Sequence, residues 1–148
     1  KKAVIKSYNL PVISAIPLQM NQLFYKLISN SLKYAKADVP PVITITSRML
    51  SKKEIEKHPL LNTTNSKGSG GEGYCEIIFK DNGIGIVKEN IPKIFDSFFT
   101  TKGTGKGAGL GLSISQSIIR EHNGIITVKS NLAEGSVFFV TLPITHQS

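Results

Sequence analysis

Apolar positions change their period several times along this chain, and each change marks an element. Val12-Ile13-Ser14-Ala15-Ile16 is a short apolar run that reads as a strand, ended by Pro17. From Leu18 the spacing becomes helical. Met20, Leu23, Phe24, Leu27, Ile28, Leu32 and Ala35 recur at i, i+3, i+4 and i+7, and Pro40-Pro41 stops that helix at the latest. "VITITS" (Val42 to Ser47) alternates apolar and polar, as a half-buried strand does. Lys52 to Lys57 reads as one short helical turn. After Pro59 the chain becomes "LNTTNSKGSGGEG", so residues 59–73 are expected to form a mobile loop within one domain. Tyr74 to Lys80 is strand-like and runs straight into Asp81-Asn82-Gly83-Ile84-Gly85-Ile86. A short helix with Pro92 near its start is predicted over Ile91 to Phe98. A second is predicted from about Leu110 to Glu121, with Leu110, Ile114, Ile118 and Ile119 as its core face and Asn123-Gly124 as its stop. Ile125 to Ser130 and Ser136 to Leu142 read as a hairpin turning near Glu134-Gly135. The order predicts a single α+β domain over residues 1–148: a two-layer sandwich with a mixed, mostly antiparallel sheet and helices on one face.

Composition narrows the class. A chain of 148 residues with 40% hydrophobic and 19% charged content can bury a core and reads as globular, not disordered. It opens on Lys1-Lys2 and shows no signal-like run, which fits a piece of a longer protein. The single cysteine, Cys75, excludes an internal disulfide and fits a reducing compartment, hence a cytoplasmic domain. It lies in an alternating run and reads as a strand residue, not a nucleophile. His58, His122 and His146 show no metal-ligand spacing. The net charge of +8 suits a polyanion, but the basic–aromatic clustering that stacks bases is missing, so nucleic acid is not the expected partner.

Candidate chemistry concentrates at three places. Gly103, Gly105, Gly107, Gly109 and Gly111 fall within nine residues, with Lys102 and Lys106 among them, just before a patterned helix. Backbone N–H groups at such a helix start form an anion site. The stretch is not a Walker A loop, because Gly107 follows Lys106 where Ser or Thr is needed. It meets a loose dinucleotide fingerprint, but it follows a helical run instead of a strand. The second place is Asp81 at a strand end, with Gly83 and Gly85 in a tight turn. A carboxylate there only accepts hydrogen bonds and would select a ligand amino group, such as that of adenine. The third is the first helix, where Lys26, Asn30 and Lys33 share one face. An Asn amide oxygen can ligate Mg²⁺, and lysines can meet phosphates.

Together these segments carry a resemblance. "QLFYKLISNSLKYA" is similar to the N box of the sensor histidine kinase ATP-binding domain (the Bergerat fold, shared with type II topoisomerases, heat-shock chaperones and mismatch-repair ATPases). "DNGIGI" resembles its first glycine box, "IFDSFF" its F box, "GKGAGLGLS" its second glycine box, and "EGSVFFVTLP" its closing glycine motif. The boxes stand in family order from Gln22 to Pro143.

The resemblance implies a two-layer α/β sandwich that binds ATP and Mg²⁺. Asn30 would be the Mg²⁺ ligand, Lys33 would reach the phosphates and Tyr34 would lie by the nucleotide. Asp81 would bind the adenine amino group, with Gly83, Gly85 and Ile86 shaping the pocket floor. Phe95, Phe98 and Phe99 would anchor a lid over residues 100–108, where Lys102 and Lys106 are candidate phosphate contacts. Gly107, Gly109 and Gly111, with Leu110 and Leu112, would close over the phosphates. The implied reaction is transfer of the γ-phosphoryl group to a histidine on a separate dimerisation and phosphoacceptor hairpin of a homodimeric parent, and onward to a response-regulator receiver domain. No acceptor histidine is evident in this chain. Lys26 stands where hydrolytic relatives carry Glu and histidine kinases usually carry Asn. It cannot serve as a carboxylate base, so hydrolysis is disfavoured, and a nucleotide-binding module with weak or no kinase activity is the alternative.

Overall fold

The computed structural model describes residues 3–8, 15–57, 73–96 and 112–144. Among them the chain forms β1 (Val4–Ser7), α1 (Pro17–Lys33), β2 (Val42–Met49), α2 (Lys52–Lys57) and β3 (Tyr74–Asp81). A 3₁₀ turn (Lys88–Lys93), α3 (Leu112–Glu121), β4 (Ile125–Asn131) and β5 (Gly135–Pro143) follow. The five strands make one sheet in the order β1-β2-β3-β5-β4. Only β1–β2 is parallel; the other three pairings are antiparallel. The expected mixed α+β sandwich is what forms.

Register explains the core. Ile45 pairs with Phe79, Phe79 with Phe138, Ile77 with Val140, and Val140 with Ile126. These residues share one face because side chains alternate with period two. α1 and α3 cover that face with Leu23, Leu27, Leu112, Ile118 and Ile119, all in the same buried cluster. Phe24 meets Phe79 edge to face, with ring centroids 5.0 Å apart. Each such fully buried side chain contributes about 1.5–3 kcal/mol. The six-residue α2 packs elsewhere, where Ile55 seats on Tyr74 beside Ile125 and Leu50. Those strand residues alternate out of phase with the core, so α2 covers one end of the opposite face.

Several boundaries differ from the sequence reading. The first strand is Val4–Ser7, not the Val12 run; Ala15 and Ile16 are not strand, and residues 12–14 lie outside the described residues. β1 lacked a signal because it is an edge strand exposed at all four positions. Pro17 opens α1 instead of merely ending a strand, since its missing N–H costs nothing in a first turn. At the other end the apolar stripe fails. Leu32 is 40% exposed, and Ser31 takes the inward place after Leu23 and Leu27. In α3 the inward residues are Leu112, Ser115, Ile118 and Ile119, while Ile114 is 51% exposed. Two positions from Leu112 is the far side of a helix. The turn before it begins at Lys88 as 3₁₀, with Pro92 inside. Of the expected loop 59–73, only Gly73 lies within the described residues.

Candidate functional site

β3 ends at Asp81, where the sheet meets the C-terminal end of α1, and the chemistry gathers there. One Asp81 oxygen, Oδ1, accepts the backbone N–H groups of Gly83 at 2.9 Å and Ser136 at 3.1 Å. The other, Oδ2, accepts the Ser31 hydroxyl at 2.9 Å. A carboxylate has about four lone-pair sites. Three are taken, which leaves one on Oδ2 for a donor arriving from outside. The carboxylate is thus held by the loop after β3, by α1 and by β5 at once.

The loop after Asp81 is forced by close backbone approach. A Cβ on Gly83 would stand 2.6 Å from the Tyr34 carbonyl oxygen. Gly85 has φ +78°, and a side chain there would collide with the Asn131 carbonyl. The loop is also bonded on both flanks. Ile84 N–H donates to Tyr34 O, and Ala133 N–H donates to Ile84 O at 2.7 Å. Ile86 N–H donates to Ser130 Oγ at 2.8 Å, and that hydroxyl donates to Gly135 O at 2.9 Å. Ser130 and Ser136 hydroxyls lie 2.8 Å apart. With the Ser130 proton committed to Gly135, Ser136 is the donor of that pair.

These contacts frame a cleft of about 180 Å³ between α1, the Asp81 loop, the 3₁₀ turn, α3 and the β4–β5 turn. Of the predicted residues, Asn30, Tyr34, Asp81, Gly85, Ile86 and Leu112 line it together. Gly83 stands behind Asp81 as a donor. Lys33 does not line the cleft; its ammonium lies 5.7 Å from the Tyr34 ring centroid. Phe95 does not line it either and packs against the core. Phe98, Phe99, Lys102, Lys106, Gly107, Gly109, Leu110, Gly111 and the expected lid at 100–108 lie outside the described residues.

The sequence reading missed other lining residues. Ile84, Val87, Ile94, Leu132 and Phe138 make the walls apolar, and Asn90 and Ser136 add polar groups. Ile84 and Ser136 sit inside quoted motifs and could have been found there; Phe138 follows from strand alternation. Asn90 carried no signal beyond its neighbours; Ser31, which holds Asp81 without lining the cleft, sits inside the quoted N-box segment but has no pattern of its own there. Among the described residues that line these walls, Asp81 is the only carboxylate. One carboxylate in an apolar cleft suits a flat base with an exocyclic amine.

The metal expectation can be tested against the donors present. Among the described residues no group of three or more His, Cys, Asp or Glu could hold an ion. Mg²⁺ is commonly bound through one or two protein oxygens plus phosphates and water. Asn30, which lines the cleft and carries one amide oxygen, fits that mode. His122 is engaged structurally: its Nδ1 donates to Ile118 O at 2.8 Å, and its Nε2 accepts Ile16 N–H at 3.1 Å. His58 and His146 lie outside the described residues.

Comparison with known proteins gives consistent matches. Residues 15–146 match the family model of histidine kinase-, DNA gyrase B- and HSP90-like ATPases. Sensor protein RprX of Bacteroides fragilis (strain YCH46) is 33% identical over 139 residues, covering 90% of this chain and 22% of that protein. Sensor protein kinase WalK of Staphylococcus aureus is 35% identical over 132 residues, 86% of this chain and 26% of that protein. The chain therefore spans about a quarter of the length of these relatives. Among solved structures, the nucleotide-free catalytic domain of histidine kinase ThkA superposes with a TM-score of 0.68 at 26% identity, over 98% of this chain and 81% of that one. The mycobacterial sensor histidine kinase MprB shares the fold, with a TM-score of 0.69 at 16% identity, over 99% and 85% of the two chains.

Proposed function

Since the chain belongs to the histidine kinase-, DNA gyrase B- and HSP90-like ATPase family, as a catalytic domain of the sensor histidine kinase kind, we propose that it binds ATP with Mg²⁺ and presents the γ-phosphoryl group to a histidine on a separate helical hairpin. The observation that carries this reading is the Asp81 carboxylate, held by three donors with one acceptor site left, at the end of an apolar cleft. In this reading the adenine amino group donates to Asp81 Oδ2. The walls from Ile84, Ile86 and Phe138 exclude water from the base. Asn30 faces the phosphate end, and Lys33 reaches the phosphates by turning from Tyr34. Mg²⁺, when bound, offsets triphosphate charge. Lys102 and Lys106, the lid at residues 100–108, and the closing residues Gly107, Gly109, Leu110, Gly111 and Leu112 belong to the same proposal.

The protein's part in such a transfer is positioning and charge neutralisation. The terminal P–O bond breaks, ADP leaves, and a P–N bond forms to an imidazole nitrogen that supplies its own lone pair. The hairpin, a homodimeric parent, a receiver domain downstream and a cytoplasmic location complete the proposal. No helix among the described residues is long and apolar enough to cross a membrane. The test supplies a phosphoacceptor hairpin from a related kinase in trans with γ-labelled ATP. Label on the hairpin and none on the 148-residue chain is the expected result. Strong histidine labelling of the chain alone, or ATP binding without label on any hairpin, contradicts it.

A further inference from the structure

The sheet has a second face, and the nucleotide site does not use it. Strand register lays out its rows. One row runs Lys6, Thr44, Lys80, Val137 and Lys129 across all five strands. The next runs Thr46, Ile78, Phe139 and Thr127. A third runs Arg48, Glu76, Thr141 and Ile125, and it is already occupied. There Arg48 bonds Glu76 at 2.9 Å and Glu54 of α2 at 2.7 Å, and Ile55 packs on Tyr74. α2 thus neutralises and covers one end of this face. The other end presents three exposed lysines beside a half-buried apolar row. Among the described residues no carboxylate lies within ion-pair distance of Lys6, Lys80 or Lys129.

We propose that this open face is a docking surface for an acidic amphipathic helix of a partner protein. The charge pattern selects the chemistry. The lysines recur every second strand, so their backbone positions are roughly 9.5 Å apart at normal strand spacing. Seven residues of helix advance about 10.5 Å. A helix crossing the strands with an acid at every seventh position meets all three lysines in turn. Its apolar stripe then lies on Ile78, Phe139 and Val137, as α2 lays Ile55 on Tyr74. A second copy of this chain is disfavoured, because two bodies of net charge +8 repel. A bilayer is disfavoured because Ile78, Phe139 and Val137, the apolar side chains of these two rows, are all half-buried and none stands proud of the surface to insert. A nucleic acid is disfavoured because Phe139 is the one aromatic side chain in these two rows, which gives successive bases no run of rings to stack on.

The probe is a synthetic 21-residue helical peptide with a leucine stripe and glutamate at every seventh position, titrated into the full 148-residue chain. A matched peptide with lysine at those positions, duplex DNA and phosphatidylglycerol vesicles are run alongside. The glutamate peptide is expected to bind and to shift the amides of Thr44, Ile78 and Phe139. The combined substitution Lys6→Glu, Lys80→Glu and Lys129→Glu weakens it at least about tenfold, and so does 1 M salt. These positions are exposed and lie on the opposite face of the sheet from the core-facing side that carries the cleft, so circular dichroism stays unchanged and ATP affinity changes far less than peptide affinity. The proposal is overturned if the glutamate peptide fails to bind, if both peptides bind alike, or if the triple variant binds as the parent does. Tighter, lysine-dependent binding of DNA or vesicles also overturns it and assigns the face to that class instead.

Discussion

The two halves of the cleft are built differently. At the base end, Asp81 is clamped by Gly83, Ser136 and Ser31 from three separate elements. At the proposed phosphate end, Asn30 lines the cleft from the end of one helix, and Lys33, three residues on, is exposed outside it. The first arrangement is set before any ligand arrives, so it confers selectivity with little reorganisation. The second uses side chains that still have to be ordered. Recognition of the base is therefore expected to be strong and sensitive to small chemical changes, and the phosphate end graded and salt-dependent.

The largest effect should come from Asp81→Asn. The Gly83 and Ser136 N–H groups fix the amide oxygen at the Oδ1 place, which puts an NH₂ donor against the adenine amine. ATP affinity should fall at least about 100-fold, because a charged acceptor is lost and two donors are opposed. Calorimetry measures this, and circular dichroism should show the fold retained, since the Ser31 hydroxyl can turn to accept. A loss below tenfold would show that Asp81 is not the base contact. Next is Asn30→Ala, expected to remove about tenfold of ATP affinity in Mg²⁺ and almost none in EDTA. Equal losses in both buffers would remove Asn30 from the metal. Ser31→Ala follows, at about 1 kcal/mol or fivefold, as one hydrogen bond to the carboxylate disappears.

Two smaller effects bound the comparison. Lys26 does not line the cleft, so Lys26→Asn should change Mg²⁺-ATP affinity less than about twofold. A larger gain would make Lys26 the cause of weak activity. Away from the site, Arg48 and the Ser51 N–H hold the Glu54 carboxyl at a pKa of about 2, below its ordinary 4.5. The shift is downward, so its contribution is present above pH 4.5 and is lost as pH falls through about 2. Amide shifts of α2 should report a titration step near that value, absent in Glu54→Gln; the Glu54 side chain is 40% exposed and its ion pair is screened by solvent, so the effect on overall stability is small.

The base end was legible because its constraints are local. Two glycines two residues apart after a strand-end Asp are demanded by backbone contacts that no other residue tolerates. The donors that clamp that Asp were not legible. Ser136 is 55 positions away and Ser31 is 50, and a serine in a helix or strand carries no pattern of its own. Apolar spacing located α1 but misplaced its last inward residue, because the i+4 continuation of Leu23 and Leu27 is Ser31, whose hydroxyl bonds Asp81, and Leu32 lies one position further round the helix. β1 was invisible because an exposed edge strand has no alternation to read. The 3₁₀ turn was misplaced because a six-residue element offers too few apolar positions to set a period.

The most direct test of the central claim is a calorimetric titration of the chain with ATP and with GTP in excess Mg²⁺. Guanine places a carbonyl oxygen where adenine has its amine, so acceptor would face acceptor at Asp81. The account predicts ATP binding with GTP at least about 100-fold weaker. Equal affinity for the two nucleotides, or no binding of ATP, would contradict it.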